Sequence, residues 1–311
     1  MKKNCLVIGD LNIDLIFSSL ERKPVFGSEI LSKEWFLDIG GSGGIFSAVL
    51  SKLGINTCIV SKIGSDYLGD FLVKKLKVLK VNTDFVIIDE KRNTGITVNL
   101  SYPKDKYQIS SLDILISLRE GEINIRGIDN LDHVHFSSYF MMSGLHNKYL
   151  EVISNIRSQF KSVTFSLDTN DDPNNIWDGG LIDVINSMDI LFLNENEALN
   201  ITGMSNTKNA LEKLASYLEV VIIKLGKKGY MAKIPEGYYT EKSLDVNFRD
   251  STGAGDNFDA GFIYGFLSGL SDEISLKIAN LCGAKSVEYL GGVGNEKKFI
   301  ELKESVKELL N

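Results

Sequence analysis

The chain has 311 residues, a formal net charge of −7, and hydrophobic and charged fractions of 43% and 24%, which is ordinary for a soluble globular protein with a sizeable core. The acidic balance argues against a nucleic-acid surface, and no apolar stretch approaches a membrane span. Cys5, Cys58 and Cys282 are odd in number and far apart, so they read as reduced thiols of a cytoplasmic protein and not as disulfides or a zinc site.

In chain order, Cys5–Ile8 reads as a buried strand, and Asp10, Asn12 and Asp14 interrupt it too early for a signal peptide. Leu11–Phe17 and Ile30–Ile39 are extended and β-branched, followed by a helix over Gly43–Leu53, a strand over Thr57–Ile63 and a helix over Tyr67–Val78. Asp84–Leu100 and Tyr107–Ser111 are again extended with no helix between them. Strands at His133–Phe136, Val163–Leu167, Ile190–Leu193 and Val220–Leu225 then alternate with helices near Lys148–Phe160, Leu181–Asn186 and Ala210–Leu218. A Met231–Tyr239 hairpin precedes three helices, Gly255–Leu267, Asp272–Tyr289 and Lys297–Leu310. This βα alternation predicts a mostly parallel sheet covered by helices. The two extended excursions, about 11–39 and 84–111, predict a small separate sheet acting as a lid over a ligand site. An apolar outer face on that sheet would offer an edge for pairing two chains.

The most specific signal is Asp250-Ser251-Thr252-Gly253-Ala254-Gly255-Asp256 before an apolar helical stretch. Thr-Gly-Ala-Gly-Asp arises by chance in such a chain with a probability on the order of 10⁻³ or less. A small-residue turn opening a helix bares several backbone N–H groups at the positive end of the helix dipole, which makes an anion site. Asp256 adds a carboxylate there, and an anion cradle beside a base is what phosphoryl transfer to a hydroxyl requires. The helix start should also lower its pKa and keep it ionised at neutral pH unless burial opposes.

Gly40-Gly41-Ser42-Gly43-Gly44 also precedes a helix, but it fits neither a dinucleotide fingerprint nor a P-loop. Asn12 and Asp14, two apart in an extended segment, face the same way and suit sugar hydroxyls. Asn194 and Glu197 follow a strand at a helix start, where they could hold Mg²⁺ waters or phosphate oxygens or merely cap the helix. Lys224, Gly226 and Gly229 form a basic glycine turn at another strand end. His133 and His135 share a strand face, but no third metal ligand accompanies them.

Together these residues resemble the ribokinase (PfkB) family of carbohydrate and nucleoside kinases over almost the whole chain. Two segments carry most of the likeness: Asp38-Ile39-Gly40-Gly41 through Gly69, and Asp250 to Asp256. Asn194-Glu195-Asn196-Glu197 and Asp168-Thr169-Asn170 resemble the family's Asn-x-x-Glu and Asp-x-Asn motifs. The resemblance implies one ribokinase-like three-layer α/β/α unit over 1–311 with a β lid, working as an ATP- and Mg²⁺-dependent kinase. Asp256 would be the base, and Gly253, Ala254 and Gly255 the anion hole. Asn12, Asp14, Gly41 and Ser42 would hold the acceptor. Asn194 and Glu197 would organise Mg²⁺ through water, while Lys224, Gly226, Gly229 and Asn280 would lie along ATP. Asp250, Thr252 and Gly292 would offer backbone oxygens to a monovalent cation such as K⁺.

The expected acceptor is a primary hydroxyl of a small sugar or sugar derivative. Ile45 stands where many members have a sugar-holding Asn, and Tyr139, Phe140, Met141 and Met142 suggest an apolar wall. A nucleoside kinase therefore stays open as an alternative, with Tyr139 and Phe140 stacking on the base. A binding protein without turnover is a further one, which the intact Asp256 counts against.

Overall fold

The structure, a computed structural model, describes residues 2–102 and 106–310. Its strands are β1 (Asn4–Ile8), β2 (Asn12–Ser18), β3 (Glu34–Gly40), β4 (Asn56–Gly64), β5 (Val86–Asp89), β6 (Ile96–Ser101), β7 (Lys106–Ser111), β8 (His133–Phe136), β9 (Thr164–Asp168), β10 (Ile190–Asn194), β11 (Val220–Lys224), β12 (Tyr230–Ile234) and β13 (Gly237–Glu241). The α-helices are α1 (Ser42–Leu53), α2 (Tyr67–Val78), α3 (Tyr149–Gln159), α4 (Leu181–Ile185), α5 (Glu195–Thr202), α6 (Thr207–Leu214), α7 (Ala254–Leu267), α8 (Asp272–Ser286) and α9 (Glu296–Leu310).

A nine-stranded sheet has the order β13-β12-β11-β10-β9-β8-β1-β4-β5, parallel from β11 to β5 and antiparallel through β12 and β13. Its strands are apolar on both faces because both are covered. On β1, Cys5 and Val7 pack with α1, α2, α7, α8 and α9, through residues such as Phe46, Leu72, Phe262, Ile278 and Phe299. Leu6 and Ile8 on the same strand pack the other way, against α3 to α6 through Val152, Val184, Ala198 and Leu211. The three-layer architecture follows directly from this alternation.

The four-stranded lid has the order β3-β2-β6-β7, with β2 and β6 parallel and the outer pairs antiparallel. Its amphipathicity is inverted relative to an ordinary surface sheet. Asn12, Asp14, Asp38, Thr97 and Asn99 are buried on the inner face. On the outer face Leu15, Phe17, Val98 and Leu100 are only half-buried, while Trp35 is 66% and Ile109 65% exposed. Asp38 ties the lid to the body. Its carboxylate pairs with Lys75 of α2 and accepts the Gly294 N–H at 3.0 Å.

Two expectations need correction. The 84–111 excursion is not wholly lid, since β5 pairs parallel with β4 at the edge of the large sheet and completes a β4–α2–β5 crossover. The 30–39 strand begins only at Glu34. Helix α5 follows from the helix start read at Asn194, and Gly203 in the left-handed region (φ 67°) ends it after eight residues.

Candidate active site

The carboxyl ends of the parallel strands deliver the site. Pairing register places Ile8 beside Phe136, Phe136 beside Leu167, Asp168 beside Phe192 and Asn194 beside Lys224. The polar residues at or just past those ends therefore line one rim of the sheet, where open α/β folds bind ligands.

On the lid side, α1 starts from Gly41 with φ 80°, where a Cβ would lie 2.7 Å from Asn12 Oδ1 and 2.8 Å from the Asp10 carbonyl. Only glycine permits that turn and that approach. Asp10 Oδ1 accepts the Gly43 N–H at 3.0 Å and Ser138 Oγ at 2.7 Å. Burial raises the Asp10 pKa, and those donors resist the rise. Asn170 Nδ2 donates to Ser42 Oγ (3.2 Å) and Ser138 Oγ (3.0 Å), and Asn12 Nδ2 donates to Thr97 Oγ1 (3.1 Å). Asp14 lies over Gly40, where a Cβ would come 2.5 Å from its Oδ1. Asn12, Asp14, Gly41 and Ser42 thus share one polar chamber beneath the lid.

Gly253 caps α7 in the left-handed region with φ 71°. A Cβ there would meet Gly292 Cα at 2.5 Å and Ile45 at 3.1 Å, so Ile45 packs under the turn and not into the polar chamber. Asp256, in the first turn of α7, is buried and hydrogen-bonded by Ser42. Burial lifts its pKa to about 7, Asp168 adds to the rise, and Lys224 opposes it. Burial thus opposes the helix start, as the expectation for Asp256 allowed, because removal from water outweighs a half-charge dipole.

Lys224, at the end of β11, is enclosed by acids. Its Nζ lies 2.8 Å from Asp259 and 3.3 Å from Asp168. Burial works against its charge, but Asp168, Asp259 and Glu197 together hold the ammonium above its ordinary pKa. Asp259 is raised by burial, with Asp168 adding and Lys224 opposing. Asn194 and Glu197 form a reciprocal capping box: the Glu197 N–H donates to Asn194 Oδ1 at 2.9 Å, and the Asn194 N–H to Glu197 Oε2 at 2.8 Å. Glu197 therefore caps α5 and also faces this cluster. Burial lifts it to about 7, Asp168 adding and Lys224 opposing.

A cleft of 670 Å³ opens on the other side of the turn, lined by Lys224, Gly226, Gly229, Ala254, Gly255 and Asn280 among others. Every residue expected along ATP except Asn194 and Glu197 lines it, and those two stand at the neighbouring strand end. A second cleft of 520 Å³, between α3 and residues 120–126, contains none of these groups.

Of the backbone oxygens expected to hold a monovalent cation, that of Gly292 is already taken. The Gly292 carbonyl already accepts Asn257 Nδ2 at 2.9 Å and Lys298 Nζ at 2.6 Å. The Asp250 carboxylate is also engaged, accepting Thr252 N–H (3.0 Å), Thr252 Oγ1 (2.8 Å) and Gly291 N–H (2.9 Å). Three of the four residues expected to form an apolar wall do not form it, Met141 alone being half-buried. Tyr139, Phe140 and Met142 are buried in the core around α3, with Tyr139 stacked on His146 and its hydroxyl on the Gly179 carbonyl. His133 and His135 are core residues that share the Ser166 hydroxyl at 2.7 Å each, and burial pushes both pKa values down.

Four residues of the constellation had no role assigned from sequence: Asp10, Asp168, Asp259 and Lys298. Asp259 had a usable signal, being three residues after Asp256 on one face of an apolar helix. Lys298 had one too, since 298, 302 and 306 recur on the buried stripe of α9.

Comparison with known proteins agrees with this geometry. The sequence profile of the pfkB family carbohydrate kinases matches residues 2–298. A sugar kinase of Archaeoglobus fulgidus is 29% identical over 246 residues, covering 78% of this chain and 95% of its own. The ATP-dependent 6-phosphofructokinase of Thermoanaerobacterium thermosaccharolyticum is 26% identical over 312 residues, covering 94% of this chain and 90% of its own. Among solved structures, Arabidopsis thaliana ribokinase complexed with ribose and ATP superposes with a TM-score of 0.79 at 23% identity, covering 98% of this chain and 99% of its own. With the profile spanning nearly the full length and the fold shared, the chain belongs to the pfkB family of carbohydrate kinases.

Proposed function

We propose that this kinase moves the terminal phosphoryl group of ATP to a primary hydroxyl of a small sugar or sugar derivative, with Asp256 taking the hydroxyl proton. The observation that carries this is the position of Asp256 at a junction. It is hydrogen-bonded to Ser42 in the polar chamber, and its neighbour Gly255 lines the 670 Å³ cleft beside Lys224. An acceptor on Asn12, Asp14, Gly41 and Ser42 and a nucleotide in the cleft would therefore meet at the Gly253–Gly255 turn. The acceptor oxygen forms the new P–O bond while the bond to the departing ADP breaks, and Gly253 and Gly255 present N–H groups to the charge on the transferring phosphoryl, the Ala254 N–H being donated to the Ser251 carbonyl at 3.2 Å.

A pKa of about 7 suits a base that must be ionised in part of the enzyme yet accept a proton late in a loose transition state. Lys224 supplies a fixed positive charge at the same place. Mg²⁺ bound with ATP would neutralise phosphate charge. Among the described residues no group of three or more His, Cys, Asp or Glu forms a direct metal cage. Asn194, Glu197 and Asp168 fit the other arrangement, in which the ion keeps its waters and the protein holds those. Burial of Tyr139 and Phe140 removes the pair that would have stacked on a nucleoside base, which favours the sugar reading.

The test is ADP release with Mg-ATP across pentoses, hexoses, sugar phosphates, sugar acids and nucleosides, with Asp256→Asn in parallel. One acceptor should rise far above the blank, and the variant should fold normally and lose at least ~10²-fold in kcat. Silence with every sugar, or a variant within threefold of wild type, would refute the proposal. The apolar outer face of the lid supports pairing of two chains through that sheet. Sedimentation equilibrium should show a dimer at micromolar concentration, and a monomer throughout would exclude it.

A further inference from the structure

The Gly253 turn has a support that phosphoryl transfer as described above does not use. Lys298 is 1% exposed, on the stripe of α9 that also buries Leu302 and Val306. Among the described residues it forms no ion pair, and its hydrogen bond runs to a backbone oxygen, the Gly292 carbonyl at 2.6 Å. That carbonyl also accepts Asn257 Nδ2, which in turn donates to the Gly253 carbonyl at 2.7 Å. Gly292 Cα is packed against Gly253 with no room for a methyl group. Burial lowers the Lys298 pKa to about 8, while Asp38, Cys282, Asp250 and Asp256 oppose that fall and keep the ammonium charged at neutral pH.

A buried cation with no contacting counter-ion is costly and persists only where something repays its desolvation. Here that is a backbone carbonyl and a ring of nearby carboxylates, the surroundings a small bound cation would need. A carbonyl oxygen has two lone pairs, and at Gly292 both are engaged. A metal ion at the same oxygen would have to expel the ammonium or share its place with a like charge.

We propose that Lys298 is a built-in monovalent cation: its ammonium holds Gly292, and through it the Gly253–Gly255 turn, in shape, so that the enzyme works without K⁺. Lys298 is a positioning residue, acting on the turn from behind. The kinetic consequence rests on the phosphoryl-transfer reading, whereas the cation-binding consequence does not.

The experiment compares wild type, Lys298→Ala and Lys298→Met in KCl and in choline chloride at equal ionic strength. Thermal unfolding is read without any acceptor, and turnover is read with one. Wild type should have the same midpoint and rate in both salts. Lys298→Ala frees the Gly292 carbonyl and opens a space. In choline it should unfold at lower temperature and turn over at least tenfold more slowly, and K⁺ or NH₄⁺ should restore both. Lys298→Met fills the space without charge and should be slow in either salt. Activation of wild type by K⁺ of threefold or more would overturn the inference without recourse to a variant. So would Lys298→Ala indifferent to the salt in both readouts. If wild type turns over no acceptor, the functional proposal fails, yet the unfolding midpoints still decide this one.

Discussion

Replacing Gly253 by alanine tests the anion turn most directly. Gly253 has φ 71°, which costs an alanine about 1–2 kcal/mol. The new Cβ would also sit 2.5 Å from Gly292 Cα, a backbone atom that cannot rotate away. Restoring an ordinary carbon–carbon contact of about 3.5 Å requires the two segments to part by about 1 Å, and forced overpacking costs a further ~1–3 kcal/mol. The expected loss is therefore about 2–5 kcal/mol, read from urea unfolding. Gly269→Ala isolates the first contribution, because Gly269 has φ 75° with nothing within 4 Å of the added Cβ. It should lose only about 1–2 kcal/mol and keep full kcat. A displacement of about 1 Å at the reacting centre costs on the order of 10²-fold in rate, so Gly253→Ala should fall by that much where it remains folded. Equal stability losses in the two variants would refute the packing argument. Unchanged kcat in Gly253→Ala would refute the anion hole.

Lys224→Met removes the cation that holds the Asp256 pKa down to about 7 against the rise from burial and Asp168. The base must be ionised, so the acid limb of kcat/KM should sit near pH 7 in wild type and move up by about 1–3 units in the variant. An unmoved limb would show that Lys224 does not act on the base. The Asp256→Asn assay, the Lys298 salt comparison and the sedimentation of the lid dimer stand with this as the remaining checks.

Much of the architecture was legible before any coordinates, because strand and helix periods are local. Cys5–Ile8 and Ile190–Leu193 had to be covered on both faces, since apolar residues at successive strand positions point to opposite sides. The turn at 253–255 was legible for the same reason, as small residues opening a helix leave its N–H groups bare wherever it lies. What the sequence could not fix is what depends on strand order and burial. Asp259 and Asp168 reach Lys224 from 35 and 56 residues away only because β9, β10 and β11 are neighbours and α7 lies across their ends. β5 joined the large sheet because β4 offered it an edge. Tyr139 and Phe140 went to the core, where aromatic area is worth most. Asp256 was raised and not lowered, and the Gly292 oxygen was taken by Lys298, because in the folded interior solvent is gone and each charge is set by the groups brought beside it.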